Sequence, residues 1–276
     1  MATILIGGDH ATTTSLAIAA GWPIPGVVDH DRQVVLVEAD PSGGSVAAWL
    51  DTPLSPSLSA VVTALHQGSA GGATPSTQRS TIDAMIRRTA SGVRCIPAPF
   101  RAREARGAVA EAEMSLFPIL TGLDEVVALV DVGRIDPLRL PGATSGAALC
   151  IVTHRQDSSS APAATVRLER LAETIASLCD NGQQVGLALI GTEPFSLDEV
   201  VDFTAPTGPA WPLAVDPLAA AVLAGRTGVS ARRLARLPLM RSAARIGTGL
   251  AAITAGRDPH TDPVAVDPAG ARGEFS

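Results

Sequence analysis

The chain has 276 residues, of which 46% are hydrophobic and 17% are charged, and its formal net charge at pH 7 is −6. This composition predicts a soluble globular protein with a large apolar core. The acidic balance argues against broad nonspecific nucleic-acid binding, and no apolar run reaches the roughly 18 residues that a membrane span needs.

Strands and helices are predicted to alternate along the chain. Most predicted strands are continuous runs of Val, Ile and Leu, which are typical of parallel strands covered by helices on both faces. The predicted strands are residues 3–7, 33–39, 93–98, 125–132, 147–153, 185–190 and 212–215. The predicted helices are residues 13–20, 43–50, 57–67, 77–88, 101–116, 161–180, 197–203, 217–224 and 230–255, the last interrupted at Pro238.

This order of elements predicts an α/β fold. The repeated β-α-β units favour a single doubly wound, mostly parallel sheet with helices on both faces, over residues 1–255. From about Gly256 the sequence becomes rich in Pro, Gly and Asp, which predicts a flexible C-terminal tail over residues 256–276.

The cysteines and the N-terminus indicate the cellular compartment. Cys95, Cys150 and Cys179 lie far apart in apolar runs, which favours buried thiols in a reducing cytoplasm. The first residues lack the basic and long apolar regions of a signal peptide, so we expect a cytoplasmic protein.

A glycine-rich turn follows the first predicted strand. Gly7 and Gly8 precede Asp9, and the chain then enters a helix near Thr13. Backbone N–H groups at such a turn, together with the helix dipole, can hold phosphate groups. The second and fourth strands end close to Asp40 and Asp131, at the edge where α/β sheets bind ligands.

These motifs resemble the deviant Walker loop of the MinD/ParA family, which is Lys-Gly-Gly-x-Gly-Lys-Thr-Thr. The aligned residues here are Ile6, Gly7, Gly8, Asp9, His10, Ala11, Thr12 and Thr13, so Ile6 and Ala11 replace the two lysines. The resemblance implies that Thr12 and Asp131 correspond to the Mg²⁺ site and Asp40 to the residue that orients the attacking water. Asp216 and Pro217 resemble the loop that lies over the adenine.

The missing lysines determine the function that the resemblance implies. Phosphoryl transfer on such a loop depends on positioning and on cations that stabilise the phosphoryl oxygens. All 21 basic residues are arginine, and Arg134 and Arg155 are the nearest candidates to replace a lysine. We therefore expect a protein with no cofactor or with weakly bound ATP/Mg²⁺.

The favoured function is a noncatalytic protein that positions or recruits partner proteins, similar to the TadZ/CpaE-like proteins. Its partners would be a secretion or pilus ATPase or other cell-positioning machinery, reached at a membrane-associated site, and it could form a homodimer. The alternative is an active ATPase with an atypical loop, in chromosome or plasmid partition or septum-site placement.

Structural roles compete with these functional ones. Gly7 and Gly8 would allow tight packing between strand and helix, and Thr12 or Thr13 would cap the first helix. Asp40 would cap the helix that begins near Gly43. The arginine-bearing segment 232–245 is favoured as a helix packed on the sheet with its arginines outward. Its alternative roles are contact with a membrane surface, DNA or a partner protein.

Overall fold

The computed structural model describes residues 2–23, 33–49, 55–72, 74–89, 92–123, 125–136, 142, 146–156 and 160–256. Its strands are β1 (Ala2–Gly8), β2 (Gln33–Glu38), β3 (Arg87–Arg88), β4 (Arg94–Ile96), β5 (Val126–Gly133), β6 (Leu149–Arg155), β7 (Val185–Ile190) and β8 (Ala210–Leu213). The predicted tail lies outside the described residues beyond Gly256, so its flexibility and the domain boundary remain predictions.

The helices connect these strands in chain order. They are α1 (Ala11–Ala20), α2 (Val46–Trp49), α3 (Leu58–Ala70), α4 (Pro75–Met85), α5 (Ala102–Gly122), α6 (Ala161–Asp180), α7 (Leu197–Thr204), α8 (Pro217–Leu223), α9 (Ala231–Leu234) and α10 (Pro238–Thr254).

The strands form a single sheet in the order β3-β4-β2-β5-β1-β6-β7-β8. Every described pairing is parallel except that between β3 and β4. The predicted α/β class and the mostly parallel sheet are therefore confirmed, and each predicted strand has its counterpart.

Several predicted helix ends differ from the structure, and two of these differences have a clear physical reason. The helix expected over 77–88 ends at Met85, and Arg87 and Arg88 instead pair antiparallel with β4; a two-residue strand is too short to show an alternating pattern. The helix expected to end at Leu116 continues through Pro118 to Gly122. Burial of Phe117 and Leu120 against the core offsets the hydrogen bond that the proline removes.

The core consists of two layers, one on each face of the sheet. Adjacent strand residues point to opposite faces, so Leu5 packs with α3 and α5 while Ile4 and Ile6 pack with α1 and α10. All eight residues of β5 are buried, which explains why its sequence is apolar except for Asp131. Cys95 and Cys150 are buried, Cys179 is half-buried, and all three are free thiols.

Candidate functional site

The first loop joins β1 to α1 at the carboxyl edge of the sheet and is held to β6 by backbone contacts. The Asp9 amide donates to the Thr153 carbonyl at 2.9 Å, and the Thr153 hydroxyl donates to the Asp9 carbonyl at 2.7 Å. Gly8 has φ +118°, and a Cβ there would overlap the Thr153 carbonyl oxygen. A Cβ on Gly7 would lie 2.6 Å from the Ile135 side chain, so packing alone explains both glycines.

The N-terminus of α1 has an unusual backbone conformation. His10 is the N-cap residue and adopts φ 55° and ψ 31°, a left-handed conformation that is uncommon for residues other than glycine. The His10 side chain makes no capping hydrogen bond to α1. The prediction that Thr12 or Thr13 caps the helix is wrong, because the helix begins at Ala11, before either residue.

The Asp9 carboxylate lies at the centre of a charged cluster. Its Oδ2 atom accepts hydrogen bonds from Nη2 of Arg167 at 3.0 Å and from the Arg155 amide at 3.1 Å. The Nδ1 atom of His154 is 3.8 Å away, and burial lowers the pKa of that imidazole. The Arg167 guanidinium, which lies beside the loop, is thus already paired with the Asp9 carboxylate.

Two arginines approach the loop from different elements. Arg155, at the end of β6, was predicted as a substitute cation, and its Nη1 atom contacts Nε2 of His10 at 3.1 Å. Arg167 lies on α6 and also donates to the Arg155 carbonyl at 2.8 Å. Arg134, the other predicted substitute, is exposed beyond β5, and no hydrogen bond or ion pair joins it to the loop in the described structure.

The positions that replace the family's lysines are part of the apolar core. Ile6 is fully buried, and Ala11 is 4% exposed. Neither supplies a cation, and both instead contribute packing around β1 and α1. Neither position of the first loop therefore carries an amino group.

Thr12 and Asp131 lie together, as the predicted magnesium site requires. Asp131 is fully buried in β5, and its Oδ1 atom accepts the Gly133 amide at 3.0 Å. Burial raises its pKa to about 7, although hydrogen bonds from the Thr12 hydroxyl and the Gly133 amide act in the opposite direction. Its Oδ2 atom has no hydrogen-bond partner of good geometry in the described structure.

Glu38 pairs in register with Asp131 across β2 and β5, and its role is structural. The Oε1 atom accepts the amides of Ser45 at 2.6 Å and Val46 at 3.0 Å, and Oε2 accepts the Ala98 amide at 3.0 Å. Burial raises the pKa of Glu38, and these three amides oppose that rise.

Asp40 lies at the same edge but caps a turn. Its Oδ1 atom accepts the amide and the hydroxyl of Ser42 at 2.7 Å and 2.6 Å. The prediction that Asp40 caps the following helix is wrong, because α2 begins at Val46 and Glu38 receives its first amide. Gly133 passes so close that a Cβ there would overlap the Asp40 carboxyl group, which places Asp40 beside the end of β5.

Asp216 and Pro217 begin α8 next to the first loop. Together with His10, Thr13 and Arg155 they line a cleft of about 190 Å³. A larger polar cleft of about 800 Å³ lies beside it and includes Asp9 and Arg167. The predicted adenine-loop residues therefore do lie near the first loop.

The Asp216 carboxylate is nevertheless engaged in helix capping. Its Oδ1 atom accepts the Ala219 amide at 2.9 Å, and its Oδ2 atom accepts the Leu239 amide at 3.4 Å. A single side chain thus caps both α8 and α10.

We predict that Asp216→Ala lowers the free energy of unfolding by about 2 kcal/mol, the upper range for losing a cap. Urea denaturation would measure the change. Asp216→Asn, which keeps the Oδ1 acceptor for Ala219, should recover more than half of the loss. Equal stability of the alanine variant and the wild type would show that the carboxylate serves something other than capping.

Neither a cluster of metal-binding side chains nor a membrane-spanning helix is present among the described residues. No group of three or more His, Cys, Asp and Glu side chains there could hold a metal ion. None of the described helices combines the length and the apolar character needed to cross a membrane.

No protein-family model matches the sequence, and neither does any curated protein sequence. Solved structures do match. The ParA family ATPase from Chlorobium tepidum TLS is 14% identical, with a TM-score of 0.65 over 90% of this chain and 98% of its own. The septum site-determining protein MinD from Pyrococcus horikoshii OT3, complexed with Mg-ADP, is 16% identical, with a TM-score of 0.60 over 91% and 97%.

A third match is the MinC:MinD cell division protein complex of Aquifex aeolicus. It is 12% identical, with a TM-score of 0.63 over 91% of this chain and 95% of the other. Similarity at such low identity establishes architecture, whereas function depends on the residues of the site. The chain has the fold of the ParA and MinD ATPases, as the loop motifs predicted.

Proposed function

We propose that this chain is a noncatalytic protein of the ParA/MinD fold that positions or recruits partner proteins and binds nucleotide weakly or not at all. The observation that carries the proposal is the state of the first loop. Position 11 is a buried alanine, and the Arg167 guanidinium beside the loop is paired with Asp9, the loop's own carboxylate.

The electrostatic balance at the loop disfavours a triphosphate. The α1 dipole offers an anion about 1 kcal/mol, whereas losing a cation of the kind that lysine provides costs about 3 kcal/mol of phosphoryl stabilisation. The Asp9 carboxylate, which Arg167 partly neutralises, would add a weaker repulsion of the phosphate charge. The loss of the cation and the repulsion by Asp9 together exceed the attraction of the α1 dipole.

The positioning role is supported by what the structural neighbours do. One is a septum site-determining protein, and another forms a complex with MinC. By this analogy of fold, the partner here would be a protein of a secretion, pilus or cell-positioning machinery, met at a membrane-associated site, and the chain could act as a homodimer.

A weakly active ATPase is the second candidate, and one observation favours it. Thr12 and Asp131 still lie together, and the buried Oδ2 atom of Asp131 has no hydrogen-bond partner of good geometry in the described structure. Hydroxyl and carboxylate oxygens suit Mg²⁺, so these two residues would hold the ion and Asp40 would lie near it. The loop itself supplies no cation for the phosphates, and Arg155, which contacts His10, would be the nearest guanidinium to replace it.

Calorimetric titration of Mg-ATP and Mg-ADP onto the purified chain tests the proposal. We expect no saturable binding with a Kd below about 1 mM, and no phosphate release above background. Micromolar binding by the wild type, or turnover that Asp40→Ala abolishes, would support the ATPase instead.

A restored loop provides the positive control. The triple variant Asp9→Gly, His10→Gly, Ala11→Lys supplies the lysine and glycine of the family loop and removes the like charge. We expect it to bind Mg-ATP about 100-fold more tightly than the wild type. The exposed Asp202→Asn on α7 is the matched control for removing one negative charge and should not change binding.

The recruitment part of the proposal can be tested separately in cells. A fluorescent fusion of the wild type should gather at a discrete site, and Asp131→Ala should leave that localisation intact. Loss of localisation in this variant, with the protein still folded, would tie recruitment to the nucleotide site and contradict a nucleotide-independent role.

A further inference from the structure

The distribution of charge along the chain is strongly uneven. Residues 217–256 contain six arginines and no Asp or Glu, so this segment carries +6 while the remainder of the chain carries −12 to give the total of −6. The six residues, called here the arginine surface, are Arg226, Arg232, Arg233, Arg236, Arg241 and Arg245. All six are exposed.

Several arginines elsewhere in the chain have a carboxylate partner. Arg79, Arg94 and Arg101 each pair with a nearby carboxylate. Within the described residues, no guanidinium of the arginine surface makes an ion pair or a hydrogen bond. A concentration of unpaired cations on an otherwise acidic protein favours an external anionic partner.

The fold holds the two arginines of α10 outward on a fixed support. Arg241 and Arg245 are four residues apart on α10 and therefore share one helix face. The opposite face of α10 packs against α1, where Ala243, Ile246 and Leu250 are fully buried. Insertion of α10 into a membrane would expose that core, so the arginines act from a helix that stays in place.

An apolar border adjoins the arginines. The Asp216 carboxylate joins the start of α8 to the Leu239 amide at the start of α10. This contact places Val215, 52% exposed, and Leu218, 37% exposed, next to the segment between Arg236 and Arg241. Nucleic acid would offer phosphates to the arginines but little to these apolar side chains, whereas a protein segment can contact both.

We propose that the arginine surface docks an acidic, amphipathic segment of a partner protein. Carboxylates of that segment would pair with the guanidiniums, whose planar fork matches a carboxylate. Its apolar side chains would cover Val215 and Leu218. The −12 charge of the remaining chain would repel an acidic segment elsewhere and so direct it to this surface.

Fluorescence anisotropy with a short labelled synthetic peptide tests the proposal. The peptide carries Glu on one helical face and Leu on the other, and a matched peptide has Ser in place of Leu. We expect the Glu/Leu peptide to bind the full chain, and the triple variant Arg232→Glu, Arg233→Glu, Arg236→Glu to bind it about 30-fold more weakly, as for the loss of three exposed ion pairs.

Two matched variants make the result specific. The variant Arg101→Glu, Arg103→Glu, Arg106→Glu changes the charge equally, at exposed positions in and just before α5, and should alter peptide affinity less than about twofold. Val215→Ser with Leu218→Ser should remove the preference for the Glu/Leu peptide over the Glu/Ser peptide.

The proposal is overturned if the α5 variant weakens binding as much as the arginine-surface variant. It is also overturned if a short DNA duplex, or vesicles of phosphatidylcholine and phosphatidylserine, displace the peptide and bind more tightly than it does. All titrations are made without nucleotide, so their outcome is independent of whether the first loop binds ATP.

Discussion

Asp131→Asn is expected to stabilise the protein, by an amount that grows with pH. Burial raises the pKa of Asp131 from 3.8 to about 7, so the folded chain retains a proton that the unfolded chain has released. Between these two values the stability of the wild type therefore falls as the pH rises. The full effect corresponds to about 4 kcal/mol, and asparagine, which does not titrate, removes it.

Urea denaturation at pH 5 and pH 8 measures this effect as the difference between variant and wild type. We expect the difference to grow by about 3 kcal/mol between these conditions. Glu38 also titrates in the folded protein, but it is present in both proteins and largely cancels. The exposed Asp202→Asn should change the pH dependence by no more than about 0.5 kcal/mol. A stability difference that is the same at both pH values would show that Asp131 is charged in the folded protein at pH 5.

Gly8→Ala is expected to be the most destabilising of the single changes to alanine proposed for this chain. The residue has φ +118°, and the added Cβ would overlap the backbone oxygen of Thr153. Backbone strain and the displacement of β6 from β1 each cost about 2 kcal/mol, which gives a loss of about 4 kcal/mol.

Gly107→Ala is the matched control for this change. Gly107 lies within α5, and a Cβ there would meet nothing within 4 Å. Alanine should therefore stabilise the helix by about 1 kcal/mol. Thermal or urea denaturation of both variants gives the comparison. Equal stabilities for Gly8→Ala and the wild type would mean that β1 and β6 separate easily at the loop.

The fold could be predicted from the sequence because its strands are buried on both faces. β5 illustrates this, since all eight of its residues are buried and a short continuous apolar run is typical of a strand covered on both sides. The meeting of Thr12 with Asp131 could also be predicted, because the carboxyl ends of adjacent parallel strands lie at one edge. Their roles in binding magnesium remain predictions.

The partner of the Asp9 carboxylate in the first loop could not be predicted. Arg167 pairs with Asp9 across 158 positions of sequence, and an arginine on an amphipathic helix gives no signal of such a contact. Asp216 is similar, because its motif indicates a loop residue and nothing in the sequence reveals that the Leu239 amide, near the start of α10, lies beside it. Both contacts join residues that are distant in sequence and depend on how the helices pack at the sheet edge. The local pattern of apolar and polar residues does not determine that packing.

The binding of three backbone amides by Glu38 has a consequence for molecular recognition. Segments at the ligand edge of an α/β sheet are commonly its most variable and mobile parts. Here one buried carboxylate ties the segments around Ser45 and Ala98 to the end of β2. A molecule that binds this part of the edge would meet a preorganised surface and would lose little conformational entropy on association.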